Sequence, residues 1–136
     1  MEVDIMKYVY PAIFTPEEGG GFSVVFTDLE SCYTCGDTLE EAMEMAQDVL
    51  ALTLYEYESD GTPIPAATRL SDLRCEGDAF PSLISCDTME YRKRFSNTAV
   101  KKTLSIPEWM NDEATRLGVN FSQVLQEALS QKLGSR

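Results

Sequence analysis

The chain has 136 residues, of which 43% are hydrophobic, and a formal net charge of -12. This hydrophobic fraction can support a core and argues against wholesale disorder, while the length suits one ordinary domain or two small ones. No apolar run approaches the roughly 18 residues of a membrane-spanning helix, and the N-terminal residues lack the apolar stretch of a signal peptide, so we expect a cytoplasmic protein.

Three short strands are predicted first along the chain. Residues 5–14 alternate and are rich in β-branched and aromatic side chains, which is typical of a strand. The sequence EEGGG at 17–21 indicates a turn, so residues 22–26 form a second, antiparallel strand. The segment SCYTCG at 31–36 is predicted to be a short third strand.

A long helix and a fourth strand follow. Asp37 or Thr38 can cap the start of the helix, and apolar residues recur at helical spacing up to Gly61. After a proline-containing loop, residues 79–87 are predicted to form the fourth strand. The first part of the chain is therefore predicted to be α+β, in the order β-β-β-α-β, with one helix packed on an antiparallel sheet.

The last predicted elements are one strand, VKKTLSI at 100–106, and two helices. Pro107 suits the first turn of the first helix, Gly118 suits its C-terminal cap, and Asn120 suits the N-cap of the second. The apolar residues of this segment are too few for a core of its own, and a lone strand has nothing to pair with. Pairing two copies would complete the core and give each strand a partner, so we predict a homodimer.

Charge is distributed unevenly along the chain. Residues 1–91 hold 19 acids and 3 bases, a net charge of -16, whereas residues 92–136 hold 4 acids and 8 bases, a net charge of +4. We predict a first domain over 1–91 and a hinge with a second domain over 92–136. The acidic part is expected to attract a basic partner, and the basic part suits a phosphate backbone.

Both parts resemble known families. The strand and two helices, with KKTLSIP leading into the first helix and GVNFSQVLQEAL forming the second, resemble the ribbon-helix-helix DNA-binding fold. Upstream, the ordered set of YPAIF, a glycine-rich turn, FSVVFTDL, GDTLEEA and IPAAT resembles the N-terminal domain of the HicB antitoxin family.

The resemblance implies two activities, neither of which is catalytic. The first domain would have a reduced RNase H-like fold without nuclease activity, and would bind a small basic toxin, HicA, whose cleavage of mRNA it blocks. The second domain would bind operator double-stranded DNA as a ribbon-helix-helix homodimer and repress the toxin–antitoxin operon. Whether the dimers pair into tetramers is left open.

The predicted ribbon strand has two different faces. One face is mainly apolar and would lie in the dimer core, whereas Lys101, Thr103 and Ser105 project from the other. A two-stranded ribbon fits the DNA major groove, where lysine can contact guanine and a hydroxyl can contact either base type. Lys102, near the ribbon's end, is expected to contact phosphate. The alternative is an edge strand that its lysines protect from aggregation.

The second C-terminal helix begins at Asn120, Phe121 and Ser122, where free N–H groups could bind a DNA phosphate. Ordinary helix capping fits the same residues. Many ribbon-helix-helix proteins carry arginine where this chain has Phe121, so only backbone contacts are expected there. The basic run at 92–94 either adds general attraction to DNA or forms a solvated hinge.

Catalytic and metal sites are not predicted. The chain has no histidine, and its four cysteines match neither a redox motif nor a zinc site, so we expect buried or half-buried thiols at Cys32, Cys35, Cys75 and Cys86, without a cofactor. RNase H chemistry needs converging carboxylates around two metals. The acids near strand ends are instead expected to be solvated or to contact the toxin: Asp4, Asp28, Glu30 and Asp37.

The acids of the long helix are expected on its exposed face: Glu40, Glu41, Glu44 and Asp48. Two rival hypotheses stay open. The chain could be an orphan ribbon-helix-helix transcription regulator whose first domain senses a small ligand or only oligomerises. It could also be an active nuclease.

Overall fold

The computed structural model describes residues 7–95 and 99–134, which separate into two compact units on either side of residue 98. Asp4 and the predicted start of the first strand at Ile5 lie outside the described residues. Residues 92–95, predicted to begin a hinge, form the last turn of a helix that packs within the first unit. The compact first unit therefore extends beyond the predicted boundary at residue 91.

A four-stranded antiparallel sheet forms one layer of the first unit. Its strands are β1 (Lys7–Pro16), β2 (Phe22–Val25), β3 (Tyr33–Gly36) and β4 (Phe80–Asp87), in the spatial order β3-β2-β1-β4. The turn between β1 and β2 places Gly19 and Gly20 at φ angles of 95° and 102°, which L side chains rarely adopt. The predicted α+β class and the antiparallel hairpin are confirmed.

The other layer is the long helix α1 (Leu39–Asp60). Thr38 is the N-cap, and its hydroxyl accepts a hydrogen bond from the N–H of Glu41 at 3.0 Å. Gly61 ends the helix with a φ of 72°, which satisfies the backbone at the C terminus without the strain of a side chain. Both ends of the predicted helix are confirmed.

The core lies between α1 and the sheet. Alternate residues of β1 face the helix, as the strand period of two requires, and Phe14 stacks on Phe80 with ring centroids 5.5 Å apart. Small side chains at Ala42 and Ala46 let the helix approach the sheet closely. The fully buried residues of both layers include Phe14, Phe26, Leu50, Leu54 and Val24.

The loop between α1 and β4 is tied to the sheet by polar contacts. Asp28 accepts hydrogen bonds from the N–H and the hydroxyl of Thr68, at 2.9 and 2.6 Å. The hydroxyl of Tyr10 donates to the carbonyl of Pro65. A short 3-10 helix, Leu70–Asp72, precedes β4, and α2 (Thr88–Phe95) follows it. Helix α2 lies where the sequence predicts the start of a hinge.

The second unit contains two helices, α3 (Glu108–Arg116) and α4 (Phe121–Gly134). Beyond α3, the N–H of Gly118 bonds the carbonyl of Thr115 and the N–H of Val119 bonds the carbonyl of Ala114. This pair of bonds is the Schellman arrangement, and Gly118 adopts the required positive φ of 73°. The predicted cap at Gly118 is confirmed.

Residues 99–107 adopt no regular secondary structure in the single chain. The predicted strand at 100–106 has its only expected partner in a second copy, so the ribbon stays a prediction about a dimer. Among the helices that the structure describes, none is both long and apolar enough to cross a membrane.

Candidate functional site

The basic segment before α3 is fully open to solvent. Lys101, Lys102, Thr103 and Ser105 are all exposed. Within residues 7–95 and 99–134, neither lysine forms an ion pair with an acid. The structure thus brings two unpaired cations and two hydroxyls together on one short segment, in a chain that is acidic overall.

The start of α4 has the capping geometry that the sequence predicts. The side-chain Oδ1 of Asn120 accepts a hydrogen bond from the N–H of Gln123 at 3.1 Å, and its carbonyl accepts from Val124 at 3.1 Å. This cap occupies the N–H of Gln123, the third residue of the helix. The N–H groups of Phe121 and Ser122 remain unused by the cap, at the positive end of the helix dipole. Capping is therefore present, and it is compatible with phosphate binding by the first two N–H groups.

The apolar side chains of the second unit are poorly buried within one chain. Leu104, Leu117 and Leu129 are 57%, 64% and 50% exposed, and neither α3 nor α4 buries a residue completely. Soluble proteins seldom leave such a dense apolar set in water. The side chains predicted to form a shared core are thus available to a partner.

The first unit presents its acids mainly at the surface. Glu30 and Asp37 are exposed, as are the four predicted acids of α1, Glu40, Glu41, Glu44 and Asp48. Asp28 behaves differently, because both of its carboxylate oxygens accept hydrogen bonds from Thr68. Of the two roles predicted for Asp28, that of a freely solvated acid is therefore wrong, whereas contact with the toxin stays a prediction.

A largely buried carboxylate, which no pattern in the sequence indicates, joins α1 to β1 and α2. Glu58 accepts hydrogen bonds from the hydroxyls of Tyr8 at 2.7 Å and Thr88 at 2.9 Å, and from Arg92 Nη2 at 2.7 Å. Burial and the bond to Glu58 raise the pKa of the Tyr8 phenol, so Tyr8 remains the proton donor at any physiological pH. Arg92 also lies over the ring of Tyr55, 4.9 Å from its centroid.

Within the basic run at 92–94, Arg92 is consequently not a free cation of a solvated hinge, whereas Lys93 and Arg94 are exposed. Arg92 is an internal partner of Glu58, and Lys93 lies 3.5 Å from Glu90 on the same helix. Arg94 lies over the ring of Phe95, 5.1 Å from its centroid. Lys101 and Lys102 are the next basic residues along the chain, and neither forms an ion pair within the described residues.

The cysteines are four free thiols. Cys32 and Cys86 are buried and Cys75 is half-buried, as predicted, but Cys35 on the edge strand β3 is exposed. Burial raises the pKa of Cys32, and burial with the neighbouring Asp87, Glu58 and Cys32 raises the pKa of Cys86 to about 12. Across the described residues, no three potential metal ligands lie together.

Comparison with known proteins finds one family along almost the whole chain. A family model described as "HicB_like antitoxin of bacterial toxin-antitoxin system" matches residues 10–129. Antitoxin HicB 1 of Photorhabdus laumondii is 45% identical over 56 residues, which cover 41% of this chain and 36% of that protein. Antitoxin HicB of Escherichia coli K12 is 39% identical over 62 residues, covering 46% and 45%. The matches thus span less than half of these relatives.

Solved structures are similar over a longer part of the chain. A chain of a toxin–antitoxin complex from Streptococcus pneumoniae is 28% identical, with a TM-score of 0.59, and the match covers 93% of this chain and 99% of that one. The antitoxin HicB of Burkholderia pseudomallei, at 15% identity and a TM-score of 0.53, shares the fold over 93% of this chain and 97% of its own.

Proposed function

Because the chain belongs to the HicB-like antitoxin family of bacterial toxin–antitoxin systems, we propose that its first unit binds and occludes a small basic mRNA-cleaving toxin of the HicA type. The family match over residues 10–129 carries this proposal. Further support comes from the 28% identical chain of the Streptococcus pneumoniae complex, and from the complex of HicA3 with HicB3, whose matched chain has a TM-score of 0.50.

Inhibition in this proposal is steric and electrostatic. The net charge of -16 over residues 1–91 accelerates encounter with a basic partner and repels RNA from the occupied toxin. In this proposal the chain inhibits by binding alone and carries out no reaction of its own. The description of the first unit as a reduced RNase H-like fold is part of the proposal.

For the second unit we propose a ribbon-helix-helix homodimer that binds operator DNA and represses the operon. Support comes from the exposed Leu104 and Leu129, which a partner copy would cover, and from the two unpaired lysines. Lys101, Thr103 and Ser105 would contact bases, and Lys102 phosphate. The N–H groups following Asn120, at Phe121 and Ser122, would hold a second phosphate.

Separation of the two activities tests this assignment. Replacing Lys101 and Thr103 by alanine should weaken operator binding at least about tenfold in a mobility-shift assay, since each base contact contributes about 1–3 kcal/mol. The same variant should still rescue growth of cells that express the neighbouring toxin gene. Lys132→Ala, which removes one exposed charge outside the ribbon, is the matched control and should bind the operator nearly as tightly as the wild type. Unchanged operator affinity of the double variant would refute these contacts.

A further inference from the structure

The outer side of α1 forms a groove with α2 in the first unit. Two adjoining concavities of about 190 and 270 Å³ share Asp48, Tyr91 and Phe95 as lining residues. Met45 and Leu52 of α1 also line the larger one. On a helix, residues 45, 48 and 52 follow one another at spacings of three and four, so they form one continuous stripe along the groove.

The groove exposes more apolar surface than folding of the unit requires. Met45 and Leu52 are 42% and 38% exposed, and Phe95 is 60% exposed. The opposite face of α1 already packs on the sheet through residues such as Ala46 and Leu50, so the outer stripe has no role in the core. Apolar side chains gathered in a concavity are typical of a binding surface.

One wall of the groove is held in place before any partner binds. The ring of Tyr91 lies 5.3 Å from that of Tyr55 and 4.8 Å from that of Phe95, measured between centroids. Arg92 stacks on Tyr55 and is itself fixed by Glu58. Aromatic anchors that are already ordered lose little entropy on binding, and such residues dominate interface energies.

The charge of the residues that line the groove indicates which kind of molecule it binds. The smaller concavity is lined by the acids Asp48, Asp87 and Glu90 against a single base, Arg94. Asp48 forms no ion pair within the described parts of the chain, and the exposed Glu41 and Glu44 lie one helical turn before Met45 and Asp48. A second copy would set acid against acid here, and nucleic acid would be repelled, whereas a basic protein gains attraction.

A second exposed apolar surface of the unit lacks this charge at its centre. On the sheet face away from α1, Val9 and Leu83 are each 52% exposed, and their cross-strand neighbours are Ser85 and Pro11. These positions carry no acid. A basic partner would find apolar contact there but no electrostatic attraction, so the sheet face provides a matched comparison with the groove.

We propose that the groove between α1 and α2, with Leu52 and Phe95 as apolar anchors and Asp48 as the central acid, is the surface that docks the basic toxin. This inference rests on the function proposed above and adds the location of the interface. Toxin side chains that are basic at the tip and apolar along the stem, as in arginine and lysine, match a groove of this composition.

Titration calorimetry of the full-length chain with a purified HicA-type toxin, the partner proposed above, tests the location. Leu52→Ala and Phe95→Ala should each weaken binding about 30-fold, as expected of interface hot spots, whereas Leu83→Ala on the sheet face should change it by less than about threefold. Asp48→Asn should lower the dependence of the dissociation constant on sodium chloride. Circular dichroism checks folding, and Leu52→Ala remains decisive if Phe95→Ala loosens α2.

The outcomes separate the two proposals. Wild-type affinity in Leu52→Ala and Asp48→Asn, or loss of binding in Leu83→Ala alone, would overturn the groove and leave the antitoxin function intact. Absence of any binding by the wild-type chain would overturn the antitoxin function and the groove together.

Discussion

Replacing Glu58 by glutamine should destabilise the first unit far more than replacing an exposed acid on α2. Glutamine keeps the shape of the side chain but removes the charge that Arg92 faces at 2.7 Å. Breaking a buried ion pair costs about 3–5 kcal/mol, since one charge is left without compensation. The side chain of Glu58 is 11% exposed and that of Arg92 is 34% exposed, so Arg92 can regain part of its hydration.

The expected cost is therefore about 2–3 kcal/mol, below the full range for a buried pair. The hydroxyls of Tyr8 and Thr88 can still donate to the amide oxygen of glutamine, but more weakly than to a carboxylate. The matched control is Glu90→Gln, because Glu90 and Lys93 form an i,i+3 pair with side chains 64% and 63% exposed. That control should cost less than about 0.5 kcal/mol.

Urea unfolding at a fixed protein concentration, followed by far-ultraviolet circular dichroism, measures both variants. A fixed concentration matters because the stability of a dimer depends on it. The double variant Glu58→Gln with Arg92→Met should be more stable than the sum of the single changes predicts, since it leaves no unpaired charge. Equal midpoints for Glu58→Gln and Glu90→Gln would refute the role assigned to the buried carboxylate.

Two further predictions concern packing and pH. A Cβ on Gly36 would lie 2.5 Å from the backbone nitrogen of Ala42, so Gly36→Ala should lower the free energy of unfolding by about 1–3 kcal/mol. A Cβ on Gly134 meets nothing within 4 Å, so Gly134→Ala should leave the free energy of unfolding nearly unchanged. Burial and the neighbouring acids raise the pKa of Cys86 from 9.0 to about 12. Between these values only the unfolded thiol ionises, so the contribution of Cys86 to stability should fall with rising pH by up to about 1.4 kcal/mol per pH unit. Alkaline unfolding of Cys86→Ala should lack this part of the slope, and an unchanged slope would contradict the assignment.

Local signals predicted most of the fold. Alternating side chains indicated the strands, and the caps at Thr38, Gly61, Gly118 and Asn120 act through neighbours only a few residues away. Such contacts depend on sequence spacing alone. They allowed the β-β-β-α-β order and both helices of the second unit to be predicted before the tertiary contacts were known.

Features that depend on distant residues were missed. Helix α2 is polar and highly charged, and tertiary contacts from Arg92 to Glu58 and from Tyr91 to Tyr55 hold it against α1. The sequence therefore indicated a hinge at this position. Asp28 bonds a residue forty positions away, so nothing near it in the sequence distinguishes it from a solvated acid. The groove, likewise, exists only because α2 packs beside α1.

The predicted ribbon is a different case, because it would depend on a second chain. The sequence of 100–106 predicts a strand, yet the isolated segment has no partner for its backbone hydrogen bonds and remains irregular. Residues that the sequence assigns to a core are also exposed within the single chain, with Val100 84% exposed. Dimerisation would account both for the irregular segment and for the exposed apolar side chains.

The most direct test is cleavage of mRNA by the proposed partner, a small basic toxin of the HicA type, measured while purified full-length chain is added. We predict that cleavage falls progressively to background as toxin is bound, and that the added protein alone leaves the RNA intact. Cleavage that continues unchanged in excess of the added chain would contradict the antitoxin function.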